Sequence, residues 1–276
     1  MTDLRGARDF LGAELAAVAQ RPRNLALLAV LAALPVLLGL AAHGDRNLTI
    51  EGSDGVRIEH GAASGVHFAL AGLLVTMPLL LPLMVAMVAG ESVAGEAQAG
   101  TLRYLLTVPV GRTRLLFTKY ATATGWSLLV TAVAAGSGAV TGFALFPAGR
   151  VTLLSGHSVP VLDGIGRLAL ATVYVGVMLA AFAAIGVFVS TLTDAPLVAM
   201  GVTLGVAVVG QVLESLPSLH AVWPWLPTHY WPRFLDVLSS APLNDRLLTG
   251  LFAQAAFAAV FLALAWAQFA GRDITS

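Results

Sequence analysis

Six stretches of this chain contain no Asp, Glu, Lys or Arg: 24–42, 66–90, 120–146, 168–192, 195–213 and 247–270. Each is long enough for a helix rising about 1.5 Å per residue to cross most or all of a hydrocarbon core about 30 Å thick. Lipid offers no partner to a backbone amide, so an isolated apolar stretch of this kind crosses as a helix. The fold class predicted is therefore an all-α integral membrane protein with six transmembrane helices in a single domain over 1–276. Composition agrees: 58% of residues are hydrophobic and 11% charged, where a soluble domain carries about 25% charge.

The same composition narrows the function. Fifteen basic and fifteen acidic residues give zero formal net charge, which offers nucleic acid no attraction. The absence of cysteine removes disulfides, thiolate metal sites and cysteine nucleophiles. The sole lysine, Lys119, follows Phe117-Thr118 and lies in no phosphate-binding loop, so this chain is not expected to hold ATP. His43, His60, His67, His157, His220 and His229 are scattered, with no pair one helical turn apart, and predict no metal site. Ser137 stands between Gly136 and Gly138 in the third span, but no base accompanies it there, so nucleophilic catalysis is not expected. Catalytic, cofactor and metal sites are all predicted to be absent. Charge-free spans also count against a stand-alone secondary carrier, which would show midplane charges and inverted repeats.

Along the chain, residues 3–20 place Leu4, Leu11, Leu15 and Val18 on one helical face, as in an interfacial helix. That segment, 1–23, mixes acids and bases and does not read as a cleaved signal. Pro35 is expected to kink the first span, and Pro78 and Pro82 the second. Gly138-x-x-x-Gly142 and Gly201-x-x-x-Gly205 offer close helix–helix contacts. Thr76, Thr203 and Gln211 are weak polar groups that could face a central path. Residues 47–60 alternate apolar positions around a Gly-Ser-Asp-Gly turn and predict an outer β-hairpin. The 214–246 connection interleaves Trp223, Trp225, Tyr230 and Trp231 with four prolines, suiting interfacial or re-entrant helices. Nine basic residues fall on the side of the termini and six on the other, which places both termini in the cytoplasm.

The stretch Gly90–Tyr120 joins the second and third spans. Read as a helix, 91–107 gathers Leu102, Leu105 and Leu106 on one side and Glu96, Gly100 and Arg103 on another, with Pro109 as terminator. An ordinary solvated, positively charged loop is the alternative. The set Glu91, Glu96-x-x-x-Gly100-Thr101, Leu105-Leu106, Pro109, Arg112 and Lys119 resembles the cytoplasmic loop of permease subunits of type 2 ATP-binding-cassette (ABC) transporters. The layout resembles theirs over the whole chain: an amphipathic segment before the first span and a short Arg272-Asp273-Ile274 tail after the last.

That resemblance implies the permease subunit of an exporter in a prokaryotic plasma membrane. Its N-terminal elbow helix and a cytoplasmic coupling helix over 91–109 would meet two separately encoded ATPase subunits, and these would hold ATP and magnesium. Glu91, Glu96, Gly100, Thr101, Arg103 and Arg112 become the ATPase-coupling interface. A second permease subunit, identical or similar, would meet the first and fifth spans and so Gly201 and Gly205. An apolar path suits lipid-like, amphipathic or antibiotic substrates, although such permeases also handle polysaccharides or support other membrane complexes. A secondary carrier and a non-transporting membrane scaffold remain the competing classes.

Overall fold

The computed structural model describes residues 12–44, 50–51, 57–58, 64–100, 112–146, 150–153 and 157–271. Six of the described helices are long and apolar enough to cross a membrane. A short helix α1 (12–19) precedes α2 (Pro22–Gly44). There follow α3 (Gly65–Thr76), α4 (Leu80–Gln98), α5 (Arg112–Leu145), α6 (Val161–Leu192), α7 (Pro196–Glu214) and α8 (Asp245–Gly271). Three short 3₁₀ helices, Pro217–Leu219, Trp223–Trp225 and Trp231–Leu238, fill the gap before α8. The chain is an all-α membrane protein.

Helix α6 is the hub. It packs against α5, α8, α4, α7 and the last 3₁₀ helix, and it is the most buried span. The least buried are α2, α7 and α8. Their outward side chains, among them Leu37, Leu197 and Phe252, would cost a soluble protein dearly, and in hydrocarbon they cost nothing. Trp126, Phe182 and Met178 are fully buried in the shared core.

The second span differs from expectation. It is two helices, α3 and α4, separated by a turn at 77–79. Pro82 falls in the first turn of α4, where a missing N–H costs nothing. It also leaves the Pro78 carbonyl without its usual i+4 donor, and the Gln211 side-chain amide fills that place at 2.7 Å.

The predicted coupling helix over 91–107 is corrected as well. Residues 91–98 continue α4, which ends at Gln98. Gly100, at φ +68°, takes the left-handed conformation that closes a helix, and its N–H bonds the Ala97 carbonyl. Gly100 is thus a helix stop and does not continue a face shared with Glu96. Thr101, Arg103, the three leucines and Pro109 lie outside the described residues, as do residues 3–11 of the predicted N-terminal helix.

Small residues set the closest helix contacts. A Cβ on Gly138 would lie 3.0 Å from the Ala69 Cα, and one on Gly142 would fall on the Gly65 carbonyl. The third-span glycine pair is therefore where α5 meets α3. The predicted outer hairpin is present as β1 (Ile50–Glu51) and β2 (Arg57–Ile58), paired antiparallel with Ile50 opposite Ile58. A second pair, β3 (Val151–Thr152) and β4 (Ser158–Val159), had no counterpart in the sequence reading. His67 ties it to α3: Nε2 reaches the Thr152 carbonyl at 2.8 Å, leaving Nδ1 to accept from Ser64 Oγ at 3.0 Å.

Candidate functional site

The charged side chains gather where α4 and α5 leave the bundle. Glu91 meets two cations, Arg21 from the turn between α1 and α2 and Arg23 from the first turn of α2. Arg21 lies 2.8 Å from it, and Arg23 engages both of its carboxylate oxygens. One turn further, Lys119 on α5 bridges Glu14 on α1, at 2.8 Å, and Glu96 on α4. Thr122 adds a hydrogen bond to Glu14 at 3.0 Å. Lys119 and its two acids expose less than a quarter of their side chains, so these contacts are less screened than surface pairs.

Placement follows from simple periodicity. Glu91 and Glu96 are five residues apart, so they point to different sides of α4: one toward α2, the other toward α5. Leu15, on the same helix as Glu14, packs over Gly125 of α5. The Asn24 amide caps this corner by donating to the Val18 carbonyl at 2.7 Å. The acids expected on a free helical face are consequently paired within the chain. They frame a cavity of about 530 Å³, also lined by Ser92, Thr122 and Pro196.

Just below, Ser190 of α6 inserts into the α4 backbone. Its hydroxyl donates to the Gly90 carbonyl at 2.7 Å and accepts from the N–H groups of Val93 (3.0 Å) and Ala94 (2.9 Å). Gly90 must lack a side chain because a Cβ would stand 2.8 Å from the Met200 nitrogen of α7. Two helices, α6 and α7, therefore grip α4 at one turn. Nothing in the local sequence marks Ser190 as special, since its partners come from a hundred residues away. Glu14 and Lys119 were equally hidden as a pair, although a chain's single lysine beside an apolar span is a signal worth following.

The other predicted residues separate. Arg112 opens α5. A Cβ on Gly201 or Gly205 would meet nothing within 4 Å, so among the described residues the pair makes no close helix contact. They sit on an open face of α7 beside the exposed Leu197, Val198 and Val202. Thr76 and Thr203, suggested for a central path, are fully buried. Their hydroxyls donate to carbonyls one turn back, Gly72 at 2.9 Å and Ala199 at 2.7 Å. Thr203 packs against Gly186 where α7 meets α6. A hydroxyl satisfied by its own helix packs like an apolar group of its size. Gln211 does border a cavity, at the opposite end of α4 and α7.

That opposite end carries the aromatic segment, whose last 3₁₀ helix packs against α6 and α8. Tyr230, Trp231, Phe234 and Leu235 are buried, and Trp231 meets Phe182 edge-on at 5.4 Å. Irregular backbone that is buried needs partners for its polar groups. Arg167 donates to the carbonyls of Val237 and Ser239, Tyr174 to Tyr230 at 3.0 Å, and Gln254 to Pro227. Sequence reading missed these anchors, for which a Tyr and a Gln inside otherwise apolar spans were the available signal. Among the described residues no cluster of His, Asp or Glu could hold a metal ion.

Residues 22–210 match the model of a family described as ABC-2 family transporter protein. A comparison with curated proteins gives no match. The matched region runs from the start of α2 through most of α7, and so takes in the helix break, the Ser190 joint and the acidic end of α4. The chain belongs to the ABC-2 transporter membrane family, whose members are permease components of ABC transporters.

Proposed function

We propose that this chain is the permease half of an ABC exporter, working as a dimer with two separate ATPase subunits that carry the ATP and magnesium. The observation that supports this most is the continuity of α4 from Leu80 to Gln98. One rigid helix links the interior of the bundle to its charged tip. Force applied near Gly100 would travel along it to the break at 77–79. Because Ser190 and Met200 hold the same helix, α6 and α7 would move with it.

In this reading the ATPase docks on the 101–111 segment and the recess framed by Glu14, Glu91 and Glu96. Thr101, Arg103 and Arg112 make direct contacts, while Glu91 and Glu96 brace α4 from within. The open face of α7, with Gly201 and Gly205, meets the second permease subunit. The docking surface and both termini face the cytoplasm. A Walker-type ATPase encoded beside this chain would accord with the proposal.

Arg103→Glu tests docking on the 101–111 segment. It should lower co-purification with the ATPase by roughly tenfold, as expected for reversing one charge in a docking contact, and abolish permease-stimulated ATP hydrolysis. The variant should still insert and melt like the wild type. Unchanged co-purification and hydrolysis, with Arg112→Glu equally silent, would make the segment a solvated connector.

A further inference from the structure

Buried hydroxyls in the spans commonly turn back on their own helix. Ser127, Thr131, Thr141 and Thr203 each donate to a carbonyl four residues earlier. Ser190 of α6 does otherwise. It is fully buried, and its one hydrogen and both lone pairs go to α4. The hydrogen meets the Gly90 carbonyl at 2.7 Å, and the lone pairs take the N–H groups of Val93 and Ala94 at 3.0 and 2.9 Å.

An uninterrupted helix would give those two N–H groups to the carbonyls of Ala89 and Gly90. Here both carbonyls receive hydroxyl hydrogens, Ala89 from Ser92 at 2.6 Å and Gly90 from Ser190. A side chain has entered the ladder of α4 at the turn where the bundle interior gives way to the charged tip. Such an insertion is a recognised place for a helix to bend.

Both partners have somewhere to return. If α4 moves off, Val93 and Ala94 can close their own ladder on Ala89 and Gly90. Ser190 can then donate to the Gly186 carbonyl, as the other span hydroxyls do on their helices. Each hydrogen bond lost between the helices is replaced by one within a helix, so no polar group is stranded in the apolar core. Little obstructs the movement. A Cβ on Gly90 would stand 2.8 Å from the Met200 nitrogen, and one on Gly186 would stand 2.6 Å from the Ala89 Cβ. Glycine at both positions removes side chains that would have to slide past these neighbours.

We propose that Ser190 is a releasable latch between α4 and α6. Latched, the tip of α4 carries α6 with it; unlatched, residues 91–98 turn without α6. The latch regulates the transmission proposed above, and it rests on that reading only for the statement that an ATPase moves the tip.

The joint is tested first without ATPase, on the full chain in phosphatidylcholine nanodiscs. Spin labels on Ala99→Cys and Leu192→Cys, both exposed positions, report the distance from the α4 tip to the end of α6. Labelled chains are diluted with unlabelled protein so that only distances within one chain are read. The otherwise wild-type chain should show one main population, at the distance of the latched structure. Adding Ser190→Ala should move most of it to a longer distance. Ser127→Ala, which removes a hydroxyl satisfied by its own helix, should leave it in place. Ser190→Ala should also melt within about 3 °C of the wild type, because the ladder closes and nothing is left unpaired. An unchanged distance in Ser190→Ala would overturn the latch, as would an equal shift in Ser127→Ala. A Ser190→Ala protein that fails to fold, or melts far lower, would overturn it too, since that describes a fixed staple. With the ATPase bound, passing between nucleotide-free and ATP–vanadate states should move the wild-type chain between the same two distances. A single latched distance in every nucleotide state of an active complex would overturn the latch and leave the exporter reading intact. A chain that binds no ATPase removes that reading, and the measurement without ATPase still decides the latch.

Discussion

Lys119 occupies the corner where three helices meet, and its neighbours decide what its loss does. Replacing it with Met takes from Glu14 and Glu96 the cation that they share. Breaking a partly buried ion pair from one side should cost on the order of 2–4 kcal/mol. Glu14→Gln or Glu96→Gln alone should cost less, because Lys119 keeps one partner. The triple variant Glu14→Gln/Lys119→Met/Glu96→Gln should recover most of the loss, since neutral groups of the same shape carry no uncompensated charge. Thermal unfolding of the four proteins in one detergent checks the order. A triple variant no more stable than Lys119→Met would mean that the corner is held by packing rather than charge. The sequence showed these residues as charges near span ends and showed none of their partners. Pairing across 105 residues, as between Glu14 and Lys119, is a tertiary fact.

Helix contacts obey the same division. Both Gly-x-x-x-Gly pairs look alike in sequence, yet one is sealed and the other open. Gly142→Leu would drive a side chain into the Gly65 backbone, and should leave the protein poorly folded or several kcal/mol less stable, as overpacking against immobile backbone does. Gly201→Leu has room within the protomer and should leave its melting temperature within about 2 °C, as a substitution away from any internal contact does. Its effect belongs to the proposed dimer: cross-linking between protomers should fall. A Gly201→Leu/Gly205→Leu protein that still cross-links at the wild-type level would turn that face toward lipid. Spacing announces that helices can approach closely. It does not say which helix arrives.

For the molecule as a whole, the ion-paired tip of α4 and the aromatic segment before α8 lie at opposite ends of the bundle, and the proposed orientation puts the first inside the cell. The natural lack of cysteine makes single-cysteine reporters clean. Ser218→Cys should label with a membrane-impermeant maleimide in intact cells. Ala99→Cys, on the exposed turn after α4, should label only after the membrane is opened. The reverse pattern would invert the molecule and remove the docking proposal with it.

Hydropathy alone determined the fold class and the count of spans, because each depends on local cost: a backbone or charge in lipid has few arrangements open to it. Spans are insensitive to their neighbours, so they could be read one at a time. Where a helix stops inside or beyond that apolar run is a subtler matter. Pro82 marked a break, but its position at 77–79 depended on Gln211 arriving to satisfy Pro78. Gly100 ended α4 before the predicted face could continue. The site itself was half legible. Glu91 and Glu96 were singled out from the chain, whereas Arg21, Arg23, Glu14, Lys119 and Ser190 became their partners only when distant helices packed. Polarity is carried by the residue; whether a polar group faces a path, a partner or its own backbone is decided by the helix laid against it.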